Sequence, residues 1–138
     1  MRIERLGPGD EEKLVAAEEL FDGPVKADAA HRFLNHPTHN MLIAYVDGAP
    51  AGFVSGVEMT HPDKGTEMFL YELGVGEAHR RKGVATALVE ALKNLARERG
   101  NYGMWVLCDE DNEAANKTYR KAGGSDSAPI LFDWQFES

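Results

Sequence analysis

The sequence contains little cysteine, no long apolar run and fewer basic than acidic side chains. Cys108 is the one cysteine among 138 residues, which excludes an internal disulfide and fits a reducing compartment. No apolar stretch approaches the length of a membrane span, and the first residues lack the apolar core of a secretory signal. The sequence therefore predicts a cytoplasmic protein with no membrane association.

Acidic side chains dominate the charge of the chain. There are 23 Asp and Glu against 15 Lys and Arg, which gives a formal net charge of −8. Such a chain repels nucleic acid and attracts cations, so a nucleic-acid partner is not expected. His31, His36 and His39 fit no metal-ligand spacing and no carboxylate cluster accompanies them, so no metal site is predicted.

The apolar periodicity predicts one domain over residues 1–138, of the mixed α/β (α+β) class. Helix caps are expected at Asp10, Asp28 and Asn112, with a further helix from Gly83 to Gly100. Strands are expected at 2–6, 41–46, 51–59, 68–75, 104–108 and 130–136. This order predicts a mixed, mostly antiparallel sheet with helices on both faces, in which one right-handed crossover leads to a parallel strand.

A basic turn, Arg80-Arg81-Lys82, directly precedes the helix that begins at Gly83. Cations are unfavourable at a helix N-terminus, where the macrodipole already carries partial positive charge. A bound anion would relieve this, and the free amides of the first helical turn are suited to a phosphate. The alternative interpretation is a solvated basic turn with no ligand.

Two motifs occur in order along the chain, Arg80-x-x-Gly83-x-Ala85 and Asn112-x-x-Ala115-x-x-x-Tyr119-x-x-x-Gly123. Together they resemble the core of the GNAT family of N-acetyltransferases, over roughly residues 41–123. The stretch from Tyr71 to Leu88 is similar, more narrowly, to the aminoglycoside 3-N-acetyltransferases. The resemblance implies a GNAT-like sheet, acetyl-CoA as the acetyl donor and direct transfer to an amine.

The same resemblance implies which residues contact acetyl-CoA. The amides of the turn would bind the pyrophosphate, the backbone of the strand before it would pair with the pantetheine arm, and an amide near Val75 would bind the thioester oxygen. The residues so implied are Leu73, Val75, Arg80, Arg81, Lys82, Gly83, Val84, Ala85, Thr86, Asn112 and Tyr119.

Amine acetylation needs a base for the ammonium and an acid for the leaving thiolate. Glu72, on the strand before the turn, is the first candidate for the base; its alternatives are a solvent-facing Glu and the rival base Asp109. Tyr119 occupies the family's acid position, and its alternative is a core aromatic. Cys108 is expected to be a buried structural thiol rather than a nucleophile.

An acidic loop, Asp109-Glu110-Asp111, follows the fifth predicted strand. Crowded carboxylates repel one another, and a cationic acceptor would relieve that repulsion. The loop and Glu72 are therefore candidate substrate contacts; the alternative is a solvated acidic cap on the next helix.

The leading hypothesis is acetyl transfer to a small polycationic amine, with an aminoglycoside as the best single candidate. Such an activity would act in antibiotic resistance. The alternatives are a polyamine acetyltransferase, a protein lysine or N-terminal acetyltransferase, and a regulatory module that binds acyl-CoA without catalysis. A homodimer is also expected, because the resemblance implies pairing and because Trp134 and Phe136 of the last predicted strand offer apolar surface near a sheet edge.

Overall fold

The computed structural model describes residues 1–136, and its centre is a five-stranded sheet in the order β1-β2-β3-β4-β5. Each strand from β1 to β4 pairs antiparallel with the next one in the chain, and β5 joins β4 as a parallel strand. The strands are β1 (Arg2–Arg5), β2 (His39–Val46), β3 (Ala49–His61), β4 (Gly65–Val75) and β5 (Met104–Trp105).

Helices cover both faces of the sheet. They are α1 (Glu11–Ala16), α2 (Ala27–Asn35), α3 (Val84–Glu98) and α4 (Glu113–Lys121), with single 3₁₀ turns at Glu18–Leu20 and Glu77–His79. One buried cluster joins Leu14, Leu34 and Phe53, on the α1 and α2 face. The other joins Val54, Leu88 and further residues on the α3 and α4 face. The predicted fold class, a mostly antiparallel sheet with helices on both faces, is confirmed.

The β2–β3 hairpin turns at Asp47 and Gly48, as the Asp-Gly pair predicts. Both residues have positive φ, 51° and 79°, which is the left-handed conformation that a type I′ turn requires. The hairpin register then places Ile43 opposite Phe53, with both side chains buried on the α1 and α2 face.

A β-bulge in β4 decides which face each later residue of that strand presents. Ser55 pairs with Glu72 and Gly56 pairs with Leu70, so Tyr71 is an extra, unpaired residue. Met68 and Leu70 pack against the α3 core before the bulge, and Leu73 and Val75 do so after it. Since side chains alternate along a strand, the bulge reverses the alternation. Glu72 is thereby turned away from α3 and toward the α1 and α2 face.

Three local predictions were wrong. The expected closing strand at 130–136 is absent, and the chain from Gly124 to Phe136 has no regular secondary structure. The expected strand at 104–108 ends at Trp105, because only Met104 and Trp105 find partners on β4. Asp28 is not a cap, since α2 starts at Ala27, after Lys26, and holds Asp28 in its first turn.

No helix within residues 1–136 has the length and apolarity needed to cross a lipid bilayer.

Candidate active site

An opening between β4 and β5 exposes the backbone of β4. The two strands pair only at Met68–Met104 and Phe69–Trp105, so β4 runs on for six residues, to Val75, without a neighbour on that side. The Gly76 amide donates to the Ala51 carbonyl of β3 at 2.8 Å. Because neighbouring residues of a strand point their backbone groups in opposite directions, those of Val75 point into the opening.

Leu73 lies two residues before Val75 and presents its backbone to the same side. Both are residues for which the resemblance implied backbone pairing with pantetheine. Their side chains pack in the α3 core, so the strand is held while its free N–H and C=O groups remain open to a ligand. The geometry supports the implied role, which stays a prediction.

The N-terminus of α3 forms a concave set of amides beside the same end of β4. The first backbone bond of the helix runs from the Ala87 amide to the Gly83 carbonyl at 3.0 Å. The amides of Val84, Ala85 and Thr86 therefore have no partner within the helix. Arg81 and Gly83 both have positive φ, 63° and 80°, a backbone alternation of the kind that lines anion-binding concavities.

The surroundings of this turn fit a negatively charged group. The first turn of α3 contains no acidic residue. Arg80, Arg81 and Lys82 are exposed, and none of them forms an ion pair within residues 1–136. A Cβ added at Gly83 would meet nothing within 4 Å, so the space above the helix end is open. Residues 80–86 thus have the donors, the charge and the space for a pyrophosphate.

Glu72 lies on the opposite face of β4, half-buried, with Asp22 as its neighbour. Asp22 belongs to the loop between α1 and α2, which the chain brings over the sheet after the turn at Glu18–Leu20. Burial raises the pKa of the Glu72 carboxyl, and the Asp22 carboxylate beside it raises that pKa further. A base with a raised pKa is better matched to proton transfer near neutral pH, so this environment suits the predicted role.

A second glutamate of the sheet shows what a structural carboxylate looks like in this protein. Glu58, at the far end of β3, is buried and pairs with Arg99 at 2.7 Å. It also accepts from Asn101 at 3.1 Å and from Asn40 at 3.3 Å. Burial alone would raise the pKa of Glu58, but these three donors outweigh it and lower that pKa. Among residues 1–136, no cation pairs with Glu72 in this way, so its carboxylate is left for a ligand.

Tyr119 reaches the site from α4. Its ring is half-buried and packs in the same cluster as Leu73 and Val75, beneath the opening. Burial raises the pKa of the Tyr119 hydroxyl, and the nearby Cys108 adds to the effect. The hydroxyl is therefore protonated at neutral pH. Complete transfer of its proton to a thiolate, whose pKa is about 8.5, would be uphill, so the hydroxyl is better suited to donate a hydrogen bond.

Cys108 is exposed, and the prediction of a buried thiol was wrong. The reason is the early end of β5, which leaves Cys108 in the irregular segment that leads to the acidic loop. Burial of the thiol group, which is partial, raises its pKa, and Asp109 raises it further. Such a thiol is a poor nucleophile at neutral pH, which agrees with the rejection of a cysteine intermediate.

The acidic loop is held in place by Asn116 of α4. The side-chain NH₂ group of Asn116 donates to the backbone carbonyls of Asp109 and Glu110, each at 3.1 Å, and to that of Asn112 at 2.8 Å. The three carboxylates of residues 109–111 line a shallow depression, and none forms an ion pair within residues 1–136. Their charge is thus presented to solvent on a fixed backbone.

Asn112 caps α4, as predicted. Its Oδ1 accepts from the Ala115 amide at 3.2 Å. This structural role occupies the oxygen of the side chain and leaves its NH₂ group free of the cap. A contact between Asn112 and the cofactor, which the resemblance implied, stays a prediction.

Most of the predicted site residues therefore fall into two groups beside β4, and the acidic loop with Asn112 forms a third group between β5 and α4. The α3 N-terminus, the free edge of β4 and Tyr119 form a donor side, and Glu72 with Asp22 lies on the opposite face of β4. Sequence reasoning missed Asp22 and Asn116. The sequence around Asp22 gave no indication of its role, because only the three-dimensional fold brings its loop to β4. Asn116 could have been suspected from its position, four residues after the cap Asn112 and close to the acidic loop.

The chain matches the model of the Acetyltransferase (GNAT) family over residues 11–124. Two curated relatives are the L-2,4-diaminobutyric acid acetyltransferase of Streptomyces coelicolor and the spermidine N(1)-acetyltransferase of Escherichia coli. The first is 29% identical, over 62% of this chain and 52% of the relative. The second is 24% identical, over 89% of this chain and 60% of the relative. The chain thus spans about half to three fifths of the length of these relatives.

Solved structures share the fold over nearly the whole chain. An aminoglycoside acetyltransferase from an uncultured soil metagenomic sample, solved in complex with sisomicin, has a TM-score of 0.91 at 18% identity, covering 99% of this chain and 96% of that one. Another from a soil metagenomic sample has a TM-score of 0.83 at 28% identity, covering 99% and 98%. These two structures do not confirm the 3-N specificity of the enzymes to which the sequence was likened. The family match covers far more than half of the chain, and the chain therefore belongs to the GNAT acetyltransferase family.

Proposed function

We propose that this chain transfers the acetyl group of acetyl-CoA to a primary amine of a small polycationic acceptor. The observation that carries the proposal is the distribution of charge around β4. Within residues 1–136, the cations at the N-terminus of α3 form no ion pair, and neither do the neighbouring carboxylates of Glu72 and Asp22 on the other face of the strand. A cationic turn suits an anionic donor, and a carboxylate pair suits an ammonium.

On the donor side, the amides of Val84, Ala85 and Thr86 bind the pyrophosphate, with Arg80, Arg81 and Lys82 neutralising its charge. The free backbone groups of Leu73 and Val75 would align the extended pantetheine arm, and the Val75 amide would donate to the thioester oxygen. Bound acetyl-CoA supplies the acetyl group as a thioester, which an uncharged amine attacks readily.

On the acceptor side, Glu72 and Asp22 hold the ammonium, and Glu72 takes one of its protons directly or through a water. Holding both carboxylates near one ammonium also offsets their mutual repulsion, so ligand binding itself favours the ionised base. The amine nitrogen then forms a bond to the acetyl carbon as the carbon–sulfur bond breaks, and it gives up a second proton, which protonates the released thiolate so that CoA leaves as the thiol. Tyr119 donates a hydrogen bond to the departing sulfur and lowers the cost of the thiolate.

The acceptor class is inferred from charge. The relatives named above act, by their names, on a diamino acid, on spermidine and on aminoglycosides, all of which carry more than one amine. A second and third ammonium would lie in the field of Asp109, Glu110 and Asp111. An aminoglycoside, and with it a role in antibiotic resistance, is the leading candidate; polyamines are the alternative that the spermidine enzyme favours.

Several expectations from the sequence accompany this proposal as predictions. These are the 3-N position of acetylation, a single domain over 1–138, a cytoplasmic location and a homodimer. A non-catalytic acyl-CoA-binding module is the rival from another class. The ionisable Glu72 and the protonated Tyr119 beside the opening favour catalysis, because simple binding of acyl-CoA requires neither group.

The test is a panel of amines, in which acetylation of each amine is measured as the acetyl-CoA-dependent release of free thiol. Aminoglycosides and polyamines are expected to be acetylated, and simple monoamines to react with a much higher KM. Replacing Asp109 and Asp111 by Asn removes two charges near the polycation. At about 0.5–1 kcal/mol each, this should raise KM for polycations about 5- to 30-fold.

A matched variant removes two exposed acids elsewhere, Glu12→Gln with Glu98→Gln, and should leave KM unchanged. Since screening at 0.15 M salt limits the reach of these charges to about 8 Å, KM for polycations should also rise with salt. Equal KM changes for polyamines and monoamines would contradict the polycation proposal. Binding of acetyl-CoA without turnover of any amine would favour the regulatory module instead.

A further inference from the structure

Three aromatic side chains form a floor on the sheet beside Glu72, namely Phe69 and Tyr71 of β4 and Trp105 of β5. The rings of Phe69 and Trp105 stack with their centroids 4.4 Å apart, and the ring of Tyr71 meets that of Phe69 edge-on at 5.9 Å. None of the three belongs to either of the buried clusters that residues 1–136 form. Tyr71 is 68% exposed and Trp105 is 38% exposed, so this aromatic floor is presented to solvent.

The aromatic floor lies on the α1 and α2 face of the sheet, on the part that the helices leave open. Met68 and Leu70 pack against the α3 core, so Phe69 between them points to the opposite face. On that face α2 packs on β2, and the 3₁₀ turn at Glu18–Leu20 packs on β3. The bulge then places Tyr71 and Glu72, two consecutive residues, on this same face. The floor is therefore continuous with the candidate base.

The indole ring of Trp105 is held in place from two directions. Its Nε1 donates to Glu67 Oε1 at 3.1 Å, and the hydroxyl of Tyr102 donates to the other oxygen of the same carboxylate. The stack on Phe69 fixes the plane of the ring. A surface whose side chains are already ordered loses little conformational freedom when a ligand binds, so the floor is preorganised for a contact.

Carboxylates lie at both ends of the aromatic floor. Glu67 is at one end, and Glu72 with Asp22 is at the other, five residues further along β4. At about 3.3 Å per residue, shortened by the bulge, the two ends are roughly 15 Å apart. Aromatic faces attract both cations and apolar C–H surface, so the arrangement fits a ligand with an apolar body and several ammonium groups. An uncharged apolar partner would instead bury these carboxylates unpaired, which is costly.

We propose that the aromatic floor binds the body of the acceptor and selects an acceptor built on rings, such as an amino sugar, over a linear polyamine. This inference rests on the proposed function, because the amine that Glu72 and Asp22 hold is the one to be acetylated. A saturated ring lays its C–H face flat on aromatic rings, whereas a methylene chain covers only a strip of the floor. Since apolar stabilisation grows with the area covered, the ring is preferred. A second ammonium of the same acceptor lies near Glu67.

Two substitutions of Tyr71 separate the aromatic face from mere apolar bulk. Tyr71→Leu keeps an apolar side chain and removes the ring, whereas Tyr71→Phe keeps the ring. Tyr71 is mostly exposed, so both variants should fold, which circular dichroism checks. With sisomicin as the ringed acceptor, Tyr71→Leu should raise KM about 5- to 10-fold, and Tyr71→Phe should restore a KM near that of the wild type. With spermidine as the linear acceptor, Tyr71→Leu should raise KM by less than about 2-fold.

Val15→Ala is the control for loss of exposed apolar surface elsewhere, on α1, and should leave both KM values unchanged. The proposal is wrong if Tyr71→Leu binds sisomicin as the wild type does, or if Tyr71→Phe loses as much as Tyr71→Leu. An equal rise in KM for sisomicin and spermidine would also overturn the selection of rings. Each of these results leaves acetyl transfer itself intact, because both acceptors are still turned over.

A second matched pair tests the far end of the floor. Glu67→Gln removes the charge there and keeps an oxygen that can accept from Trp105, whereas Tyr102→Phe keeps the charge and removes one hydrogen bond to it. Glu67→Gln should raise KM for sisomicin about 2- to 5-fold, and Tyr102→Phe should raise it less. Equal KM values in the two variants would show that no ammonium lies at Glu67.

Tryptophan fluorescence gives a readout that needs no turnover. Trp105 and Trp134 are the two tryptophans of the chain, so in Trp134→Phe the emission reports on Trp105 alone. With CoA present, which permits no transfer, sisomicin should change this emission saturably. Tyr71→Leu in the same background should weaken the apparent affinity about 5- to 10-fold.

Emission that stays unchanged at sisomicin concentrations well above its KM would show that the acceptor does not touch the floor, and would overturn the proposal. If no amine of the panel is acetylated, it is the proposed function that fails. The fluorescence titration then still shows whether the floor binds a ringed polycation, so the two failures are distinguishable.

Discussion

Replacing Gly83 tests the donor side of the site with a matched pair of variants. Gly83 has a φ of 80°, where an L-residue costs roughly 1–2 kcal/mol, and a Cβ there would point into open space above the amides of α3. Gly83→Gln and Gly83→Glu impose the same strain and nearly the same volume. They differ in one negative charge, which would lie at the proposed position of the pyrophosphate.

The size of the charge effect follows from the surroundings of the turn. Two unit charges 4 Å apart interact by about 1 kcal/mol in water and about 4 kcal/mol near a protein surface. Gly83 is exposed, so 1–3 kcal/mol is a reasonable range, and the Glu variant should bind CoA about 5- to 150-fold more weakly than the Gln variant. In 1 M salt, where screening acts within about 3 Å, the difference should shrink.

Isothermal calorimetry with CoA measures the two affinities, and thermal unfolding measures the cost of strain separately. Both variants should lose similar stability, because both place a side chain at the same left-handed position. The reasoning is refuted if the Glu and Gln variants bind CoA equally well at low salt. In that case the exposed cations at 80–82 are a solvated turn, and the donor must bind elsewhere.

Two further variants test the chemistry around β4. Asp22→Asn removes a carboxylate that raises the Glu72 pKa, so that pKa should fall and the acidic limb of the profile of kcat/KM against pH should move to lower pH. Asp28→Asn, on α2, is the control and should not move this limb. If Asp22→Asn leaves the limb unmoved or shifts it to higher pH, Glu72 is not the titrating base. Tyr119→Phe should lower kcat by about 100-fold with CoA affinity nearly unchanged, since the hydroxyl is needed only as the thiolate forms; wild-type turnover would leave Tyr119 with only its packing role.

The donor side could be predicted from sequence because its geometry is local. The donor side consists of a strand, the turn that contains Gly83 and the helix α3, which follow one another directly in the chain. Apolar periodicity and one glycine are therefore enough to indicate them. Asn112 was predictable as a cap for the same reason, since its partner Ala115 lies three residues away. Local hydrogen bonds of this kind need no knowledge of the fold.

The acceptor side could not be predicted to the same depth, because it depends on pairing between distant segments. Alternation alone cannot decide which face Glu72 presents, since the bulge at Tyr71 arises from the register with Ser55 and Gly56 of β3. Asp22 reaches Glu72 only through the packing of α1 on the sheet. Each contact is set by tertiary structure, which the local sequence does not reveal.

Residues 130–136 show the converse error, in which an alternating local pattern predicted an element that the fold does not contain. Residues 130–136 alternate as a strand should, yet within one chain they form none. Alternation reports that a segment suits a half-buried strand, but the strand exists only if an edge is available to it.

The division of charge across β4 has a consequence for turnover under the proposed function. Acetylation converts an ammonium into a neutral amide, so the product presents one positive charge fewer to Glu72, Asp22 and the acidic loop. At about 1 kcal/mol for a charge pair at 4 Å in water, that loss weakens binding about 5-fold, which favours release. On the donor side the phosphates keep their charge, so CoA retains its contacts with the basic turn. Under the proposed function, the reaction therefore weakens the binding of the acetylated amine and leaves the contacts of CoA with the basic turn unchanged.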